Sequence, residues 1–187
     1  MKYVVFKTKA GFFGILADEK GLKRAVLPQN SRLKTQKYLL VGMQGRAKES
    51  NVLYSELQKA IKAYYNTDNA DLINFAKLFL ELIFFEGSEF EQKVLKACMK
   101  IPFGQTTTYA QLAKRAGFPK AARAVGSVLA KNKLPLIIPC HRVVRADGEI
   151  GNFSAPGGTK TKKRMLDYEK NKYAKRTSRS RAIFTGH

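Results

Sequence analysis

Short apolar runs alternate with turn-forming clusters over the first thirty residues. Tyr3 to Thr8, Phe12 to Ala17 and Lys23 to Leu27 are separated by Lys9-Ala10-Gly11 and Asp18-Glu19-Lys20-Gly21, a spacing that predicts three strands in an antiparallel meander. From Val52 to Tyr65 the period changes. Leu53, Leu57, Ala60, Ile61 and Tyr64 recur at helical spacing, and the more polar Asn66 to Asp71 ends that helix. The apolar stretch Leu72 to Phe85 fits either a buried strand or a helix, and Glu86-Gly87 marks the boundary to a second, helical domain.

Two capping boxes open the helices of that second part. Ser88 with Glu91 starts a helix whose face carries Phe90, Val94, Cys98 and Ile101, and Thr108 with Gln111 starts a shorter one over Tyr109 to Ala116, stopped at Gly117. Cys98, on the apolar face, reads as a buried structural thiol. Pro119 suits the first turn of the next helix, Lys120 to Lys131. Two helices joined by so short a turn predict a helix-turn-helix. The second helix is small-surfaced: Ala121, Ala122, Ala124, Gly126 and Ser127 surround Arg123, so a nucleic-acid backbone could approach closely with one arginine projecting. Two packed helices without DNA would show the same pattern.

The formal charge of +21 points to a polyanionic partner such as nucleic acid, although a solvated basic surface has the same composition. The last eighteen residues hold six of the basic residues and no acid, and read as a flexible basic tail. Two cysteines in 187 residues make no disulfide scaffold, no apolar stretch approaches membrane-spanning length, and the first residues lack a signal-peptide core. An intracellular, reducing compartment is expected, with no membrane partner.

Against that background, Ile138-Pro-Cys-His-Arg-Val-Val144 stands out. A thiol reacts as its thiolate, so it needs a group to take its proton and a cation to hold the anion; His141 and Arg142 are candidates for both. A free cysteine at the end of an apolar run, Leu134 to Ile138, is more commonly a core residue, but a core strand rarely ends in His-Arg without partners for those groups.

Taken in order, Ile101-Pro-Phe-Gly104, Thr108-Tyr109, Ala122-Arg-Ala-Val-Gly126, Asn132, Pro139-Cys-His-Arg-Val143, Gly151-Asn152 and Glu169 resemble the O6-alkylguanine-DNA alkyltransferases, single-turnover DNA repair proteins, over roughly residues 88 to 169. The resemblance implies an α+β (α/β) fold: an N-terminal β-meander plus helix domain over residues 1–87, of ribonuclease-H-like type, a helical domain over 88–169 with a helix-turn-helix and an active-site cysteine loop, and the basic tail 170–187. It makes Cys140 the alkyl acceptor. His141 links to the thiol through a water, Glu169 holds the other side of the imidazole, and Asn132 fixes the geometry. Tyr109 donates toward guanine N3, Ser154 lies near O6, the carbonyls of Cys140 and Val143 accept from the exocyclic amine, and Pro135 and Gly151 complete the pocket. Arg123 is the finger that fills the stack when the base is flipped out, with Ala122, Gly126 and Thr108 at the DNA through the minor groove. The implied partner is double-stranded DNA containing O6-alkylguanine, and less well O4-alkylthymine, bound by a monomer without any cofactor.

Phe153 stands where relatives often have tyrosine, and the loop Ala155 to Thr159 is about two residues longer than the family pattern. The metal site of some relatives cannot be built from Cys98, Cys140, His141 and His187 alone. The alternative within the family is a non-catalytic sensor of alkylated DNA, whose members lack the acceptor cysteine. A cysteine hydrolase would draw its base from a distant residue. A zinc deaminase would need Pro-Cys-x-x-Cys, absent after Pro139.

Overall fold

The computed structural model describes residues 1–43, 47–67, 75, 79–83 and 85–184. Strands β1 (Lys2–Thr8), β2 (Gly11–Asp18) and β3 (Gly21–Gln29) form the antiparallel meander, and a two-residue β4 (Lys48–Glu49) adds parallel to β1, in the order β3-β2-β1-β4. Both faces of this sheet are covered, which is why its strands read as nearly continuous apolar runs. On one face Tyr3, Val5, Leu16 and Val26 meet Leu39 of α1 (Arg32–Leu39). On the other, Val4, Phe6, Phe13, Ile15 and Leu27 meet Leu57, Ile61 and Tyr64 of α2 (Ser55–Asn66). Helix α1 has too little amphipathic contrast to announce itself in the sequence. Helix α2 starts three residues later than its apolar spacing suggests, because the Gln58 amide donates to the carbonyls of Asn51 and Leu53 and Tyr54 turns left-handed, with φ of 50°. Most of the ambiguous stretch 72–85 lies outside the described residues; within it, Leu80–Leu82 forms one 3-10 turn.

The core of the second face continues without a break into the rest of the chain, through Val94, Cys98, Leu112, Val125, Leu136 and Met165. Helix α3 (Glu89–Met99) carries the expected Ser88/Glu91 capping box, and α4 (Tyr109–Arg115) that of Thr108 and Gln111. Ile101 is buried beyond the end of α3 rather than on it. Helix α5 (Ala122–Ala130) begins later than expected. Pro119 is not in its first turn but in the preceding link, where the Phe118 N–H bonds back to Ala113 and the Ala121 N–H to Phe118.

The apolar run before Cys140 is buried but is not a strand. It folds into a compact loop in which the Ile138 N–H reaches the Leu134 carbonyl and Leu136 adopts φ of 75°. Cys140–Arg142 then form a 3-10 turn, followed by β6 (Val143–Val144), which pairs in parallel with β5 (Thr107–Thr108). That short ladder sets the cysteine turn beside the start of α4. The final helix, α6 (Gly158–Phe184), absorbs the longer loop before it and carries Glu169. The backbone of residues 170–184 continues this helix, in contrast to the flexible tail expected from composition. No described helix is long and apolar enough to cross a membrane.

Candidate active site

Cys140 and His141 occupy consecutive positions of the 3-10 turn, and both are buried. Asn132, just past α5, donates through Nδ2 to Cys140 Sγ at 3.0 Å and to the Ile138 carbonyl at 3.0 Å, while its Oδ1 accepts from the Leu134 N–H. One side chain thus holds the loop and the sulfur together. Burial pushes the thiol's pKa up, and the Asn132 hydrogen bond and the Lys162 cation oppose this.

The imidazole of His141 is completely buried, with Nε2 2.8 Å from Glu169 Oε1. A carboxylate only accepts, so Nε2 carries the proton and Nδ1 the free lone pair. Nδ1 is buried with no hydrogen-bond partner among the described residues, and is the ring's remaining acceptor. Burial holds the imidazole pKa below its ordinary value, against the pull of Glu169. Glu169 is itself buried, which alone would raise its pKa, but His141 and Arg142 drive it well below the usual carboxylate range.

Arg142 differs from its expected role. Rather than facing the thiol, it forks onto Glu169, with Nε to Oε2 and a terminal nitrogen to Oε1, both at 2.9 Å, and donates its other terminal nitrogen to the Ile101 carbonyl at 2.7 Å. The cation that acts on the thiol is Lys162. Its ammonium lies 5.8 Å from the Tyr109 ring centre and donates to the Val143 carbonyl at 2.6 Å. Only 1% of the residue is exposed, and burial lowers its pKa to about 8. Sequence gave no sign of this residue among its basic neighbours Lys160, Lys163 and Arg164. In Lys162→Met the thiol loses that nearby charge, so the pH midpoint of its alkylation by iodoacetamide is expected to move upward. An unmoved midpoint would remove Lys162 from the thiol's electrostatics.

Above the sulfur opens a cleft of about 680 Å³, lined by Tyr109, Ala122, Arg123, Gly126, Cys140, Gly151 and Ser154, with Ser127, Arg145, Asn152 and Phe153 on its walls. Gly151 has φ of 68°, and a Cβ there would sit 3.1 Å from the Tyr109 hydroxyl, so only glycine leaves that hydroxyl its place. Arg123 is exposed in the first turn of α5, and Ala122 and Gly126 keep its surroundings low. Of the residues expected here, Pro135 and Val143 are buried outside the cleft wall, and Thr108 is engaged in capping α4. Cys98 is fully buried and burial raises its thiol pKa. Among the described residues no three of His, Cys, Asp and Glu group as metal ligands; His187 lies outside them.

The arrangement puts a thiol in the lining of a cleft rimmed by a small-surfaced helix, next in the chain to a buried imidazole paired with a carboxylate, residue types that can supply a nucleophile and its base. Residues 89–171 match the family described as the DNA-binding domain of 6-O-methylguanine DNA methyltransferase. The chain is 31% identical to the methylated-DNA–protein-cysteine methyltransferase of Methanosarcina acetivorans over 83% of its length and 90% of the relative's. It is 49% identical to the mouse protein of the same name over 86 residues, 46% of this chain, and spans only 40% of that relative's length. A solved structure of Mycobacterium tuberculosis OGT in complex with DNA superposes with a TM-score of 0.65 at 28% identity, over 92% of this chain and 94% of that one. The chain belongs to the methylated-DNA–protein-cysteine methyltransferase family.

Proposed function

We propose that this protein repairs DNA by moving the alkyl group from O6 of guanine, and less well from O4 of thymine, onto its own Cys140, once per molecule. The observation that carries this reading is a cleft-lining Cys140 thiol held by Asn132, followed in the chain by the buried His141–Glu169 contact. The thiol proton passes to Nδ1 of His141, through a bridging water, and Glu169 stabilises the imidazolium. Sulfur attacks the alkyl carbon in line; the S–C bond forms as the C–O6 bond breaks, and the electron pair leaves with the guanine. The Tyr109 hydroxyl and Ser154 meet the charge that develops on the base. The carbonyl of Cys140 accepts from its exocyclic amine; that of Val143, expected to do the same, lies outside the cleft wall and accepts from Lys162 instead. The thioether product has no ionisable proton and nothing here to cleave it, so the residue is consumed.

The substrate base lies inside a duplex and must leave the stack to reach a buried thiol. Ala122 and Gly126 allow α5 close to the minor groove, and Arg123 fills the gap left by the base. Residues 1–87 and 88–169 are proposed as the two domains of this machine, sharing the continuous core described above.

Intact-mass and peptide analysis after incubation with a duplex containing O6-methylguanine tests the reading directly. One methyl group on Cys140 per repaired lesion is expected. A bound lesion that persists beside an unmodified cysteine would instead mark a sensor, and repeated turnover would rule out a terminal acceptor. For Arg123→Ala, repair in duplex DNA is expected to fall by roughly tenfold or more, the equivalent of losing part of the few kcal/mol that flipping costs. Reaction with free O6-methylguanine base should change little; equal losses on both substrates would count against the finger.

A further inference from the structure

Glu169 divides its two oxygens unevenly among five donors. Oε2 accepts from the Gly104 N–H at 3.1 Å and from Arg142 Nε at 2.9 Å. Oε1 takes three, from His141 Nε2 at 2.8 Å, Arg142 at 2.9 Å and the Tyr64 hydroxyl at 2.8 Å. Four of the five donors belong to residues 104–142. Tyr64 does not: it comes from α2, 105 residues before Glu169 in the chain, and like Glu169 it is only 1% exposed.

The ring of Tyr64 is held independently of that bond. Its edge meets Phe103 at 5.8 Å between ring centres, it packs on Tyr65 at 4.8 Å, and the Tyr168 hydroxyl donates to its backbone carbonyl. Glu169 is likewise already located, by the Arg142 fork and the Gly104 N–H. The Tyr64 hydroxyl therefore adds little to where the carboxylate sits. What it changes is the charge on the oxygen that His141 uses.

We propose that Tyr64 is a positioning residue for the alkyl-transfer reaction: its hydroxyl competes with the His141 N–H for Glu169 Oε1 and so keeps the imidazole neutral, with its Nδ1 lone pair open to the thiol's proton. This rests on the reading of His141 as the base. A carboxylate oxygen with fewer donors is a stronger acceptor and draws a neighbouring imidazole toward its protonated form, in which Nδ1 can no longer accept. Around the imidazole stand Cys140 and Arg142 from its own turn, and Lys162 and Glu169 from α6. Around the Tyr64 hydroxyl stand Glu169, Arg142 and Tyr65. Burial and the two cations push the imidazole the same way as Tyr64 does. Of these influences, only the Tyr64 hydroxyl can be removed without altering a formal charge or opening the core.

Tyr64→Phe keeps the ring, its aromatic neighbours and the Tyr168 contact to the backbone, and deletes one oxygen. The test compares full-length wild type and Tyr64→Phe in two measurements. One is the pH dependence of single-turnover transfer from an O6-methylguanine duplex. The other is the ¹⁵N NMR titration of His141, which is readable because the chain has only two histidines and the other, His187, can be replaced by glutamine in both proteins. In the variant, the acid-side midpoint of transfer and the His141 titration are both expected to move to higher pH. Transfer on the acid side should fall several-fold, with melting temperature and affinity for undamaged duplex retained. Midpoints that stay in place, or move to lower pH, would overturn the proposal, whether the rate survives or declines in step with stability. If wild type itself transfers no methyl group, it is the proposed function that fails, and the NMR titration still reads the Tyr64 effect on its own.

Discussion

Replacing Cys140 by alanine is expected to abolish transfer while leaving a folded protein that still binds DNA. Removal of a nucleophile from a catalytic constellation costs roughly a millionfold in rate, far beyond any effect of repacking. The structural cost should be small. The thiol is a small, 5% exposed group at the foot of an open cleft, and its Asn132 partner keeps a second acceptor in the Ile138 carbonyl. A loss of about 1–2 kcal/mol covers the missing sulfur contacts. In a mixture with duplex carrying O6-methylguanine, the lesion should persist and the mass of the protein should not change, while wild type gains one methyl group. A sensor would give the same result for both proteins, so the pair separates the two readings within the family. Methylation of the alanine variant at any other residue would displace Cys140 from the centre of the mechanism.

Glu169→Gln is expected to combine a loss of activity with a loss of stability. Glutamine presents one oxygen and one amide nitrogen where five donors now converge on two oxygens, so at least one donor would face another donor. Arg142, 6% exposed, would be left as a buried cation without its carboxylate. Breaking a buried pair from one side costs about 3–5 kcal/mol, which for a chain of this length lowers the melting temperature by roughly 6–20 °C. With the amide nitrogen at Nε2, His141 loses the tautomer that leaves Nδ1 free, and with the neutral amide oxygen there the imidazolium loses its counter-charge; by comparison with catalytic triads transfer should slow by up to about 10⁴-fold. The sign of the pH effect follows from the direction of the shift. The folded carboxylate titrates well below its unfolded value of 4.5, so its contribution is fully present above that value and is lost as pH falls through the folded one. The stability gap between wild type and variant should therefore be constant near neutrality, begin to narrow as pH falls below about 4.5, and be fully lost only in strong acid. A gap of less than about 1 kcal/mol at pH 7 would mean that the carboxylate is not the anchor its contacts describe.

Features encoded within a few residues of one another were the legible ones. The capping boxes at Ser88 and Thr108 each involve a side chain three positions away, and both appear where the sequence places them. The meander was readable because strand and turn chemistry are local too. Pro119 misled because a proline is equally at home in a turn and in a first helical turn, and the bonds of the link around it decide which. For the run Leu134 to Ile138 residue types show only that it is apolar, which does not distinguish a strand from a compact loop.

The candidate site divides along the same line. Cys140, His141, Arg142 and Asn132 lie within eleven consecutive positions, and a thiol beside an imidazole, the proposed nucleophile and base, can be read from residue types alone. The geometry of Glu169 could not: it reaches back across 28 residues to His141, on a helix whose spacing gives no strong apolar stripe, and only resemblance to a family pointed to it. For Lys162 and Tyr64 there was no signal at all. One looks like any lysine in a basic stretch, the other like any aromatic on an apolar helix face.

What the chain order alone established is the chemistry on offer: a thiol beside an imidazole, an arginine on a smooth helix, an excess of positive charge. Which groups hold which was decided in the tertiary structure. There Arg142 turned from the thiol to Glu169, Lys162 supplied the cation instead, and Tyr64 was brought 105 residues along the chain to the same carboxylate. The reason is physical. The strength of a charge, and the proton affinity of its neighbour, depend on burial and on donors a few ångströms away, and those distances exist only once α2, the cysteine turn and α6 have packed around one core.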